Sequence, residues 1–102
     1  MVASVRLDAS ELDAALALLP GWRRVGNEMW ARYRFATFAA AVAFTRQLAA
    51  AAVELGHHPQ WTVRYRVVDV VTTTHDVGGL TERDVALARI CDAAFERFAS
   101  PV

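Results

Sequence analysis

Eighteen residues from Phe38 to Leu55 run without a glycine or proline, and Gly56, the His57-His58 pair and Pro59 then stop the run. Phe38, Ala41, Phe44, Leu48 and Leu55 recur at roughly helical spacing, which predicts one long amphipathic helix. The alanines at 49–52 reinforce it, because alanine gives up no side-chain entropy on entering a helix. Thr37 is placed to cap its start, and Gly56 can take the left-handed conformation that ends it. The two histidines therefore sit just past a helix end.

The flanking segments follow from the same kind of pattern. Ser10 with Asp13 three residues on predicts a helix start; Leu12, Ala15, Leu16 and Leu19 share a face, and Pro20-Gly21 stops the helix. Trp22-Arg23-Arg24-Val25, the turn signal Gly26-Asn27, and the alternation of Met29, Ala31, Tyr33 and Phe35 predict a hairpin. From Trp61 to Thr74 the chain is rich in valine, threonine and aromatics, which predicts two short antiparallel strands without a strong turn signal between them. Thr81 opens a last helix with Asp84 at the capping-box position and Leu87, Ile90, Cys91, Ala94 and Phe98 as its apolar stripe. The expected fold is α+β in the order αββαββα, a four-stranded antiparallel sheet with three helices packed on one face, as a single domain over 1–102. Trp30, Arg32 and Arg34 alternate against the inward residues of the second strand and leave the other sheet face open for an interface.

Composition narrows the class. The apolar share of 55% against 22% charged residues is that of a folded, soluble chain, and no segment is expected to be long and apolar enough to cross a bilayer. The N-terminus, Met1-Val2-Ala3-Ser4-Val5-Arg6-Leu7-Asp8, lacks the basic and apolar regions of a secretory signal. A lone Cys91 offers no internal disulfide, which agrees with a cytoplasmic, reducing setting. Formal net charge is zero and the eleven basic residues are dispersed, so direct nucleic-acid binding is not expected.

All three histidines, His57, His58 and His75, lie within one stretch, so proton-transfer chemistry is concentrated there. Pro59 holds His58 out of helical geometry, and adjacent residues on an extended chain point to opposite sides, so His57 and His58 face different surroundings. His75 is read at the end of the last strand, before the tight turn at Gly78-Gly79, where catalytic groups commonly gather. Against this stands the plain reading of turn-capping or surface histidines. Zinc is a poor fit, since neither a cysteine cluster nor an HExxH helix is present. Asp84 can cap its helix and still leave one oxygen to orient an imidazole. Trp61 reads more readily as core than as a ligand platform.

The order and spacing of His57-His58-Pro59-Gln60-Trp61, Tyr65, Thr74-His75 and Gly79-Leu80-Thr81-Glu82-Arg83-Asp84 resemble the pterin-4a-carbinolamine dehydratase family over nearly the whole chain. The resemblance implies an oligomer, a homodimer or homotetramer, with no metal and no redox cofactor. It implies removal of water from 4a-hydroxytetrahydropterin to give quinonoid dihydropterin in the recycling of a pterin used by an aromatic amino acid hydroxylase. By resemblance His57 and His75 transfer protons and His58 binds and orients the pterin. Gly56, Pro59, Trp61, Thr73, Thr74 and Asp76 would line the substrate, and Asp84 would support His75. The chain departs from the family pattern at Val53, where an acidic residue is common, and at Val63 and Arg66, where asparagines are. Two alternatives stay open: a binding module that stabilises a partner protein's dimer, and a dehydratase acting on another pterin.

Overall fold

The computed structural model describes residues 5–99; the first four residues of the segment read for a signal, Met1 to Ser4, lie outside it. The elements are α1 (Ala9–Ala17), β1 (Trp22–Val25), β2 (Glu28–Arg34), α2 (Phe38–Leu55), β3 (Gln60–Arg64), β4 (Val67–Thr72), a 3₁₀ turn over His75–Val77, and α3 (Glu82–Ala99). The expected αββαββα order is therefore the observed one, with all four strands antiparallel in the order β1-β2-β4-β3.

Strand register decides which residues meet the helices. Ala31 pairs with Trp22 and Val70, Tyr33 with Val68, and Met29 with Thr72, and all of these are buried on the helix side. Phe44, Leu48, Leu87 and Cys91 from α2 and α3 complete that layer. Tyr33, Phe35, Phe44 and Phe95 form an aromatic cluster with ring centroids 4.9–5.3 Å apart. One polar contact crosses it: Asp92 Oδ1 accepts from the Tyr33 hydroxyl at 2.6 Å and from the Trp22 indole at 3.2 Å, pinning α3 to both strands of the first hairpin. Burial and this carboxylate push the Tyr33 hydroxyl far above the ordinary tyrosine range.

Several local expectations change. Asp8, not Ser10, caps α1, because Asp8 and Glu11 close a reciprocal capping box at 2.8 and 2.9 Å, two residues ahead of the expected start. Phe38 is 51% exposed, and the inward stripe of α2 is Ala41, Phe44, Leu48 and Ala52. The turn between β3 and β4 falls at Tyr65-Arg66, with Tyr65 at a φ of 54°. A non-glycine residue there is why the turn left no strong sequence signal. The expectation that no segment has the length and hydropathy to cross a bilayer also fails. The 18 residues of α2 reach a mean hydropathy of 1.3, largely through alanine, while its inward stripe packs into the core beside α3.

Arginines dispersed along the sequence are gathered by register. Arg23, Arg32, Arg34 and Arg64 share the open sheet face with Glu28, Trp30 and Asp69. Two shallow concavities of about 420 and 340 Å³ adjoin there, both touching Trp30 and Asp69.

Candidate active site

Segments far apart in sequence meet at one fully buried carboxylate, that of Asp84. Thr81 precedes α3 as its cap: its Oγ1 accepts from the Arg83 amide at 3.2 Å, while its own N–H donates to Asp84 Oδ2 at 2.9 Å. Half of the expected capping box is present, the Asp84 carboxylate accepting from the Thr81 amide while Thr81 Oγ1 takes the Arg83 amide in place of that of Asp84, and the positive end of α3 favours a carboxylate at this place. The remaining capacity of Asp84 is spent on three other groups. Oδ1 accepts from the Thr72 hydroxyl at 2.6 Å and from His57 Nε2 at 2.7 Å; Oδ2 accepts from the Thr74 hydroxyl at 2.7 Å. The Thr81 hydroxyl, 2.8 Å from Thr74 Oγ1, donates to it, since Thr74 gives its own proton to Asp84. Every proton in the cluster has a place when Asp84 is ionised. With three other donors already aimed at a carboxylate, the nitrogen of His57 that faces it is the one that carries hydrogen.

His57 reaches this position because α2 ends as its sequence dictates. Gly56, at φ 65° and ψ 30°, turns the chain, and the His57 amide then donates to Ala52 O at 3.1 Å. The side chain drops inward to 7% exposure, whereas its neighbour His58 is exposed, the opposite facing expected of an extended pair. Pro59 follows, half-buried, and Trp61 packs partly buried against the core from β3.

The other wall comes from the segment after β4. Here the sequence reading shifts: β4 ends at Thr72, and His75 begins a 3₁₀ turn two residues beyond Thr73 instead of ending a strand. Thr73 donates its hydroxyl to Asn27 O at 2.6 Å, which ties this segment to the β1–β2 turn. Thr74 and Gly79 bond to each other through their backbones in both directions, and Gly78 at φ 64° closes the loop. His75 and Asp76 are left exposed on it. The contacts of Asp84 run to His57, not to His75 as the family resemblance implied. The sequence reading also passed over Thr72, although a threonine continuing the alternation of Val68 and Val70 was a usable signal.

Among the described residues, no group of three or more His, Cys, Asp or Glu side chains is arranged to hold a metal. Burial, aided by the charge of Asp92, pushes the Cys91 thiol up to about 12, so it offers no thiolate. The candidate site presents one imidazole backed by a carboxylate and two exposed imidazoles on flanking loops.

The family model described as pterin 4 alpha carbinolamine dehydratase matches residues 5–94. The chain belongs to that family. A protein of Thermomicrobium roseum provisionally named a pterin-4-alpha-carbinolamine dehydratase is 45% identical over 84 residues, which cover 82% of this chain and 90% of the relative. One of Mycobacterium tuberculosis with the same provisional name is 42% identical over 89 residues, covering 87% and 95%. Among solved structures, a transcriptional coactivator/pterin dehydratase from Brucella melitensis superposes with a TM-score of 0.86 at 38% identity, covering 88% of this chain and 98% of that one. A pterin dehydratase-like protein described as a RuBisCO assembly factor in the α-carboxysome gives 0.61 at 25% identity, covering 72% and 86%. A structural neighbour of this chain is thus described as an assembly factor.

Proposed function

We propose that this chain dehydrates 4a-hydroxytetrahydropterin to quinonoid dihydropterin and water, in pterin recycling beside an aromatic amino acid hydroxylase. The observation that carries the reading is the His57–Asp84 contact, a buried carboxylate fixing the proton of an imidazole at a loop junction. In the reaction the bond from the 4a carbon to its hydroxyl oxygen breaks, and that oxygen leaves as water after taking a proton. The adjacent ring nitrogen gives up its proton, and its electron pair closes the new carbon–nitrogen double bond. One group must donate and another accept. His57 and His75 take these two roles, and His58 orients the pterin. Gly56, Pro59, Trp61, Thr73, Thr74 and Asp76 line the substrate, partly through backbone groups. Thr73 and Thr74 already spend their hydroxyl protons inside the protein, so they serve through backbone groups or hydroxyl lone pairs. No cofactor enters the scheme. A reducing cytoplasm suits the lone, buried Cys91.

Stopped-flow absorbance of 4a-hydroxytetrahydropterin decay tests the reading. The protein is expected to accelerate decay over buffer, and His57→Ala and His75→Ala to remove most of the roughly 10²–10⁴-fold that positioned acid–base groups supply. Decay at the buffer rate would overturn it.

A second reading has its own observation. Phe38 and Val53, 51% and 75% exposed, fall with Val42 and Ala49 on a second stripe of α2 beside the inward one. Such a stripe suits a homodimer, a homotetramer or a partner protein. In that case the chain would act as a module that stabilises another protein's assembly.

A further inference from the structure

The proton on His57 Nε2 has two oxygens within reach, Asp84 Oδ1 at 2.7 Å and Thr72 Oγ1 at 3.1 Å, and those two oxygens are 2.6 Å apart. Thr72 closes β4 on the helix side of the sheet, opposite Met29, and is 1% exposed. A valine would fill that volume, suit the strand equally well, and spare the cost of burying a hydroxyl. The hydroxyl therefore has to be accounted for by what it touches.

We propose that Thr72 is a positioning residue, whose hydroxyl holds the ring of His57 in one orientation and one tautomer with hydrogen on Nε2 and the lone pair of Nδ1 turned to the substrate side. The hydroxyl has a single proton, and it goes to Asp84 Oδ1, because a carboxylate so close would otherwise face a bare lone pair. The lone pairs of Oγ1 then face the ring, so Nε2 meets two acceptors. In the alternative tautomer an unprotonated Nε2 would face both oxygens, and only by withdrawing the Thr72 proton from Asp84 could the contact be relieved. Turning the ring over would bring a carbon against the same pair. Thr72 thus adds to the bias of Asp84 against two wrong arrangements at once, and it also fixes the rotation of the carboxylate. Among the described residues His57 Nδ1 makes no hydrogen bond, and no buried side-chain nitrogen or oxygen lacks one, so Nδ1 stands at the surface of the cluster. A tautomer set from behind decides whether that exposed nitrogen can accept a proton.

The kinetic part of this inference rests on the dehydratase reading, and the spectroscopic part does not. Thr72→Val keeps the shape and removes the hydroxyl; Thr72→Ser keeps the hydroxyl. With ring-¹⁵N-histidine protein, the wild type and Thr72→Ser are expected to show His57 as one tautomer protonated at Nε2, and Thr72→Val a mixture of the two. In stopped flow Thr72→Val is expected to lower kcat by about 10-fold with KM unchanged, since a small misplacement at a reacting group is felt in the chemical step. Thr72→Ser should restore most of it. A single Nε2-protonated tautomer in Thr72→Val overturns the inference, whatever the kinetics. A wild type that fails to accelerate decay, together with a tautomer that responds to Thr72→Val, overturns the dehydratase reading and leaves the role of Thr72 standing.

Discussion

Asp84 is asked to do two jobs with two oxygens. One oxygen holds the start of α3 and Thr74; the other holds His57 and Thr72. Asp84→Asn keeps the outline but places an amide N–H₂ where an acceptor stood, so at least one buried donor faces another. Each such orphaned donor costs about 1–3 kcal/mol. Urea unfolding should show a loss of that size, and dehydratase activity should fall further than in Thr72→Val, because the tautomer of His57 then loses its main acceptor. Equal stability in the two proteins would mean that the carboxylate is not the centre of the cluster. A purely structural aspartate would lower stability and leave the ring tautomer of His57 alone.

At the level of elements, Gly56 is where a helix end becomes part of a site. Its φ of 65° lies in the left-handed region, and a Cβ built there would meet nothing within 4 Å. Gly56→Ala should therefore cost only the conformational strain of an L-residue, about 1–2 kcal/mol, seen as a fall in Tm of several degrees, with Gly56→Asn milder. No drop at all would mean that the turn relaxes to another geometry and carries His57 with it.

The legibility of the chain followed the same lines. Thr37, Gly56 and the Thr81–Asp84 pair act through their immediate neighbours, and these helix boundaries were readable in the residues themselves. The first hairpin was readable from its turn signal and alternation and the second from its valine, threonine and aromatic content, but the β3–β4 turn was not, because Tyr65 adopts a positive φ without any of the usual turn residues. The start of α1 was misplaced for a narrower reason: two acidic residues within the helix, Glu11 and Asp13, both stand three positions after an acceptable cap. The site was legible as a set of histidines and an aspartate, whereas the partner of that aspartate was not. Whether Asp84 meets His57 or His75 depends on how α3, α2 and β4 converge, and that is fixed by packing across segments with no local sequence signal.

For the molecule as a whole, charge is sorted in a way that the zero total conceals. The two hairpins, residues 22–34 and 60–72, hold six arginines against Glu28 and Asp69, a net +4, so the rest of the chain carries −4. On the open face Arg32 grips Asp69 through two bonds of 2.7 and 3.1 Å, with Arg64 at 3.4 Å, and these guanidinium groups hold the Asp69 carboxyl below its ordinary 3.8. A folded-state value below the unfolded one contributes stability above the unfolded value, and that contribution is lost as pH falls through the lower folded one. Acid titration of stability should therefore be steeper below about pH 4 for the wild type than for Asp69→Asn. The difference should be small and should shrink in salt, because Arg32 is 49% exposed. Parallel acid limbs would show that the pair contributes nothing.

The two walls around the candidate site differ in how firmly they are held. His57, Thr72, Thr74 and Asp84 are buried, with His57 Nδ1 at the surface of their cluster, while His58, His75 and Asp76 stand on exposed loops. Native-state hydrogen exchange should divide along that line, with the His57 amide, bonded to Ala52 O, exchanging only in large openings and the exposed His58 and Asp76 amides exchanging through local ones. A substrate entering between the walls would find one side already set, and whatever ordering accompanies binding would fall on the other.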